Sequence, residues 1–243
     1  INAAGACSYA SVCNNIYYLF RNREGYFKKI FGYDMYKSNG EFNSAELLLD
    51  LYIYANTEEN GGHFIKKNIN GKYELNKEYF SSETIDIYGR DTLDAHKQEY
   101  MSLGIKGRNN DTINNFLKSK NQNLSYESSF FIDNFDKVKY SIEEQKQIIA
   151  ELSKRLNDSE IALDMNYFMD PNHPIVAYSC DPENYVDVST NNWNEGAGHS
   201  VTITGIADSG FFISSWGREY YITFENLFDG GCFEIGTSSI HWN

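Results

Sequence analysis

Proline is scarce in this chain, with three in 243 residues, so few rigid linkers are expected. Cysteine is scarce too: Cys7, Cys13, Cys180 and Cys232 form no CxxC pair and no Cys/His cluster of zinc-ligand spacing. A structural zinc site is therefore not expected. A Cys180–Cys232 disulfide and two buried free thiols are both compatible with the pattern. Basic residues are outnumbered, 21 against 34 acidic, for a net charge of −13. Binding to phosphate needs a basic face, so neither nucleic acid nor an anionic membrane surface is an expected partner. The acidic excess reads as a solvated surface that would steer basic or neutral polypeptides. No apolar run approaches the ~18 residues of a membrane span, and no secretory leader is visible. The chain opens at Ile1, close to its first candidate functional residue, which suggests a processed or trimmed form.

Apolar material is ample. Hydrophobic residues make up 41% and aromatics 16%, enough for a packed core and too much for disorder. Tyr9, Val12, Ile16, Leu19 and Phe20 recur at helical spacing between Ser8 and Phe20. Asn43 with Glu46 reads as a capping box opening a second helix through Leu48, Leu49 and Tyr52. Ile113, Phe116 and Leu117 suggest a short helix after Asp111. Ser141 with Glu144 is a clearer box, followed by Ile148, Ile149, Leu152 and Leu156.

The last third changes character. Ile161–Phe168, Ile175–Cys180, Ser200–Ala207, Phe211–Trp216 and Tyr220–Phe224 are short β-branched and aromatic runs, read as strands, with Asp208-Ser-Gly210 as a hairpin turn. Helices first and strands last define an α+β layout: a helix-rich lobe over 1–140, elaborated at 57–125, and a sheet-rich lobe over 141–243, within one domain of 1–243.

Two stretches carry chemistry. Gly5-Ala-Cys7-Ser-Tyr-Ala10 puts a thiol at the head of the first helix. Far downstream, Gly196-Ala-Gly-His199-Ser-Val-Thr-Ile-Thr-Gly205 leads a histidine into a strand, and the next strand returns to Ser214-Ser-Trp-Gly217. The start of one hairpin strand faces the end of the next, so His199 and Ser214 or Ser215 are expected neighbours. A thiol needs a base to become thiolate, and the base needs a third group to hold its ring. A helix N-terminus favours a thiolate, and its N–H groups suit an oxyanion. Cys7 is read as nucleophile and His199 as general base. Ser214, Asp187, Asp208 or a backbone carbonyl is read as orienter. Cys13 is read as core, and His63, His96, His173 and His241 as surface or loop residues. Glu58-Glu59 and Glu143-Glu144 are read as solvated charges.

These three motifs, in this order, resemble the papain-like cysteine peptidases. There the nucleophile heads a long helix, and a sheet carries the histidine and its orienter. The resemblance implies a papain-like fold and no metal or organic cofactor. Ser214 stands where the family has asparagine. The family's oxyanion glutamine falls at Ile1, with Asn2 the nearest amide. Gly198 and Trp216 fall on the substrate side, and Trp216 is either a shield over the orienting hydrogen bond or core. The 192-residue separation of Cys7 and His199 resembles that of secreted bacterial members, among them Ide-type, staphopain-like, streptopain-like and bacteriocin-leader peptidases. That implies a secreted bacterial virulence factor, monomeric, cutting a polypeptide substrate. Two alternatives stay open: a Cys-His deamidase or transglutaminase-like toxin acting on side chains, and an inactive papain-like binding module.

Overall fold

The computed structural model describes residues 7–60, 65–75, 108–133, 139–168, 175–180, 198–215, 218–229 and 233–242. Asn2, Asp187, Trp216, Cys232, His63, His96 and His173 lie outside the described residues, as does 76–107 of the expected elaboration. The chain is α+β. It forms two compact units, one of Ile1–Tyr9, Phe20–Tyr126 and His241–Asn243, the other of Ala10–Leu19 and Glu127–Ile240. The long stretch of the first unit ends at Tyr126, inside the strand Leu124–Asp133.

The first unit is built from aromatic side chains on short helices: α2 (Glu24–Phe31), α3 (Ser44–Asn56) and α4 (Arg108–Lys120), with a small hairpin of β1 (Ile65–Lys67) and β2 (Tyr73–Leu75). Phe20, Phe27 and Phe31 pack edge-to-face or tilted at centroid separations of 4.5–5.9 Å, and Phe31 and Tyr54 both reach Phe116 of α4. Such pairs add to the area they bury. Helix α2 stops at Gly32, whose φ of 85° closes the last turn through its N–H to the Lys28 carbonyl, a conformation glycine takes without strain. The expected capping box at Asn43 does not form. Asn43 is the N-cap of α3, but its side-chain amide donates to the Asp34 carbonyl instead.

The second unit is a seven-stranded sheet in the order β3-β9-β4-β6-β7-β8-β5, antiparallel at the pairings from β9 through to β5. Its strands are β3 (Leu124–Asp133), β4 (Ile161–Phe168), β5 (Tyr178–Ser179), β6 (Gly198–Ala207), β7 (Gly210–Ser215), β8 (Arg218–Thr223) and β9 (Phe233–Trp242). Helix α5 (Ile142–Leu156) lays Ile148 and Leu152 on one face against Leu163, Met165, Val201 and Ile203. It starts where expected: Ser141 Oγ accepts from the Glu144 N–H, and Glu144 accepts from the Ser141 N–H. A short helix, α6 (Phe224–Asp229), adds Leu227 and Phe228 to the same core. Along the other face runs the Ala10–Leu19 part of α1 (Cys7–Phe20), held by side-chain hydrogen bonds described below.

The β6–β7 hairpin turns through Asp208-Ser209, pairing Ala207 with Gly210. Glycine is needed at 210 for space. A Cβ there would sit 2.2 Å from the Ile222 carbonyl oxygen of β8. Gly210→Ala is therefore expected to cost roughly 1–3 kcal/mol, read from the midpoint of denaturant unfolding. An unchanged midpoint would mean that β8 does not sit this close.

Candidate active site

His199 is the second residue of β6, paired with Tyr167 of β4. Its ring meets Tyr167 edge-on, with centroids 5.6 Å apart and planes at 90°. Its Nε2 lies 2.7 Å from Ser215 Oγ. Both residues are buried, and burial pushes the imidazole down to about 4, so the ring is neutral at pH 7.

The hydroxyl at His199 is thus that of Ser215, at the end of β7, and not that of Ser214. A β-bulge between Ile203 and Gly205 is the reason. The turn sets Ala207 opposite Gly210, but the bulge slips the pairing by one, so that Thr202 meets Ser214. A one-residue slip exchanges the two faces of a strand. Without it, Ser214 would stand on the His199 face. With it, Ser214 turns to the other face, where its Oγ accepts from Asn14 Nδ2 at 3.2 Å. Asp208 is no orienter either. It sits in the turn at the far end of β6 and is exposed.

Cys7 is the first residue of α1, partly exposed, with a free thiol. It falls in the first unit and His199 in the second. The first-turn N–H groups of a helix have no intrahelical acceptor, which suits an oxyanion. Cys13 is buried in the core as expected. Cys180 carries a free thiol, so it forms no disulfide; burial and then the Glu219 carboxylate push that thiol up. Glu59 pairs with Lys67 at 2.8 Å, Glu144 caps α5, and His241 is exposed. Gly198 opens β6 opposite Phe168. Among the described residues no group of three or more His, Cys, Asp or Glu side chains is arranged to hold a metal, and no helix is long and apolar enough to cross a membrane.

A polar cluster that the sequence reading passed over lies on the face opposite His199. Asn15 of α1 donates from Nδ2 to Asp164 Oδ2 at 2.8 Å and to Ser238 Oγ at 3.3 Å. Ser238 donates to the same Asp164 oxygen at 2.9 Å. Thr202 Oγ1 lies 2.8 Å from Asn15 Oδ1 and 3.1 Å from the Ser11 carbonyl oxygen, its proton shared between two acceptors. Every one of these residues is buried. The signal was available: an Asn-Asn pair inside an apolar helix, and an aspartate inside the run Ile-Ala-Leu-Asp-Met. Buried polar groups of this kind need partners, and here they supply one another except at Asp164 Oδ1.

No protein-family model matches this sequence, and no curated protein matches it either.

Proposed function

We propose that this chain is a cysteine peptidase of papain-like organisation, with Cys7 as nucleophile and His199 as the base that takes its proton. One observation carries the reading: the helix that Cys7 opens is hydrogen-bonded, through Ser11 and Asn15, to Thr202 on the strand that carries His199.

The thiolate attacks the scissile carbonyl, and His199 then protonates the leaving amine. The acyl-enzyme is cleared by water. The Cys7 N–H and Asn2 would serve the oxyanion, and Ser215 takes the place of the family's orienting asparagine. No metal or organic cofactor enters the scheme. The acidic surface favours neutral or basic polypeptide substrates. Likeness to secreted bacterial enzymes supports a monomer working outside the cell.

The burial that keeps His199 neutral favours a second reading, a papain-like binding module without catalysis. Iodoacetamide labelling across pH, with peptide mapping, separates the two. The peptidase is expected to label first at Cys7, already at mildly acidic pH, and at least tenfold more slowly in His199→Ala. Slow labelling spread over Cys7, Cys13, Cys180 and Cys232, with ordinary thiol pH dependence, would leave the binding module.

A further inference from the structure

Asp164 is fully buried, and one of its carboxylate oxygens, Oδ1, has no hydrogen-bond partner among the described residues. The other, Oδ2, accepts from Asn15 and Ser238, both neutral. A buried carboxylate is normally matched by a cation, because an uncompensated charge in a dry interior is costly. Among the described residues no cation stands beside Asp164. On α1, the Ala10–Leu19 segment offers only Cys13, Tyr17 and Tyr18 as titratable side chains. Asn15 sits in the middle of that helix, so no helix terminus points at the carboxyl. On β6 the paired residue is Thr202, and His199 stands on the opposite face. On β9 the paired residue is Gly236, and the nearest ionisable group along the strand is Glu234, itself an acid.

We propose that Asp164 is a proton-operated latch: with a proton aboard it lets α1 close on the sheet through Asn15, and without one it sets a buried charge against that closure. The geometry and the acid–base behaviour agree, since burial pushes Asp164 up to about 7, against the smaller opposing pull of Ser238 and Asn15. In the open state the carboxyl meets water and regains an ordinary value near 4. Each opening between those limits releases one proton. The opening constant therefore rises about tenfold per pH unit from pH 5 to 7 and levels off above. His199 does not enter, because lifting α1 leaves the His199 face covered. The latch stands whether or not the chain is an enzyme. If the peptidase reading holds, Asp164 is also a positioning residue, since α1 begins with Cys7.

The test is hydrogen exchange of the full chain from pH 5 to 9, followed by mass spectrometry and corrected for intrinsic rates. Peptides from α1 are compared with peptides from α5. Wild-type α1 is expected to open about tenfold more per pH unit up to neutrality, with α5 showing no matching change. Asp164→Asn mimics the neutral carboxyl, so its α1 should be insensitive to pH and at least tenfold better protected than wild type at pH 8. Ser238→Ala removes a donor to the ionised form and should move the levelling point to higher pH. A direct titration of wild type by carboxyl carbon NMR covers the case in which a variant does not fold. It should show one aspartate titrating near neutrality. An aspartate set confined to ordinary values, a pH-independent α1, or an unchanged slope in Asp164→Asn would overturn the latch. None of these readouts involves peptidase activity, so the latch and the peptidase reading fail separately.

Discussion

Cys7→Ser is expected to abolish cleavage of an unfolded polypeptide, and His199→Ala to do nearly the same. Each loss should be on the order of 10⁴–10⁶ in kcat, because nucleophile and base act as one unit. For the same reason the double variant should be no worse than either single one. A serine hydroxyl keeps the size of the thiol and loses its acidity, so Cys7→Ser isolates chemistry from packing. The two serines of β7 then divide the structure from the family pattern. Ser215→Ala removes the hydroxyl 2.7 Å from His199 Nε2. It should lower kcat by roughly ten- to a hundredfold through loss of ring orientation, with KM little changed. Ser214→Ala touches only the hydrogen bond from Asn14 and should leave kcat within about threefold of wild type. The measurement is initial rate against substrate concentration for all four single variants. A Cys7→Ser variant with wild-type turnover would sink the peptidase reading. A larger effect at Ser214 than at Ser215 would mean that the β6–β7 register in solution is not the bulged one. Loss of side-chain amide from the substrate without chain cleavage would point to the deamidase instead.

That contrast shows where the sequence was readable and where it was not. The hairpin, its turn at Asp208-Ser209 and the meeting of His199 with a β7 serine follow from counting residues between two apolar runs. Which serine it is depends on a single-residue bulge at 203–205, and a bulge leaves no signature in composition. The Ser141–Glu144 cap was legible because both hydrogen bonds it makes are local. Asn43–Glu46 has the same spacing, but a tertiary partner, the Asp34 carbonyl, takes the Asn43 side chain. Strand β9 was missed because both its faces are covered. From Phe233 to Ser238 every residue is buried, so no alternation marks it as a strand. Helix α2 spans eight residues, about two turns, too few to repeat the spacing of Phe27, Ile30 and Phe31 a second time. Asp164 is a different case. The residue was visible, but its meaning lay in its setting: among the described residues only the neutral Asn15 and Ser238 side chains bond it, which the assembled sheet and helix reveal.

Asp164 and His199 also impose opposite pH dependences on the stability of the second unit, and their separation is a large effect. His199 folds neutral, with its pKa lowered to about 4 by burial, whereas the unfolded ring titrates near 6.5. Between those values the unfolded chain binds the extra proton, so stability rises with pH. Asp164 folds protonated up to about 7, whereas the unfolded carboxyl titrates near 3.9. There the folded chain binds the extra proton, so stability falls as pH rises. From about pH 4 to 6.5 the two slopes have equal size and opposite sign, and they cancel. Folding in that window moves one proton from the histidine to the aspartate in net effect and releases none. Single variants unmask each half. Relative to wild type, Asp164→Asn should gain stability as pH climbs from 4 to 7, by roughly 4 kcal/mol in all. Relative to wild type, His199→Gln should lose it from pH 4 to 6.5, by roughly 3 kcal/mol. The side chains stand on opposite faces of the sheet, so the double variant should track wild type at a constant offset. Urea unfolding at half-unit pH steps gives all three difference curves. A flat curve for Asp164→Asn would mean that the carboxyl is ionised in the folded protein and that a cation reaches it. A flat curve for His199→Gln would mean that the imidazole is already solvated or charged.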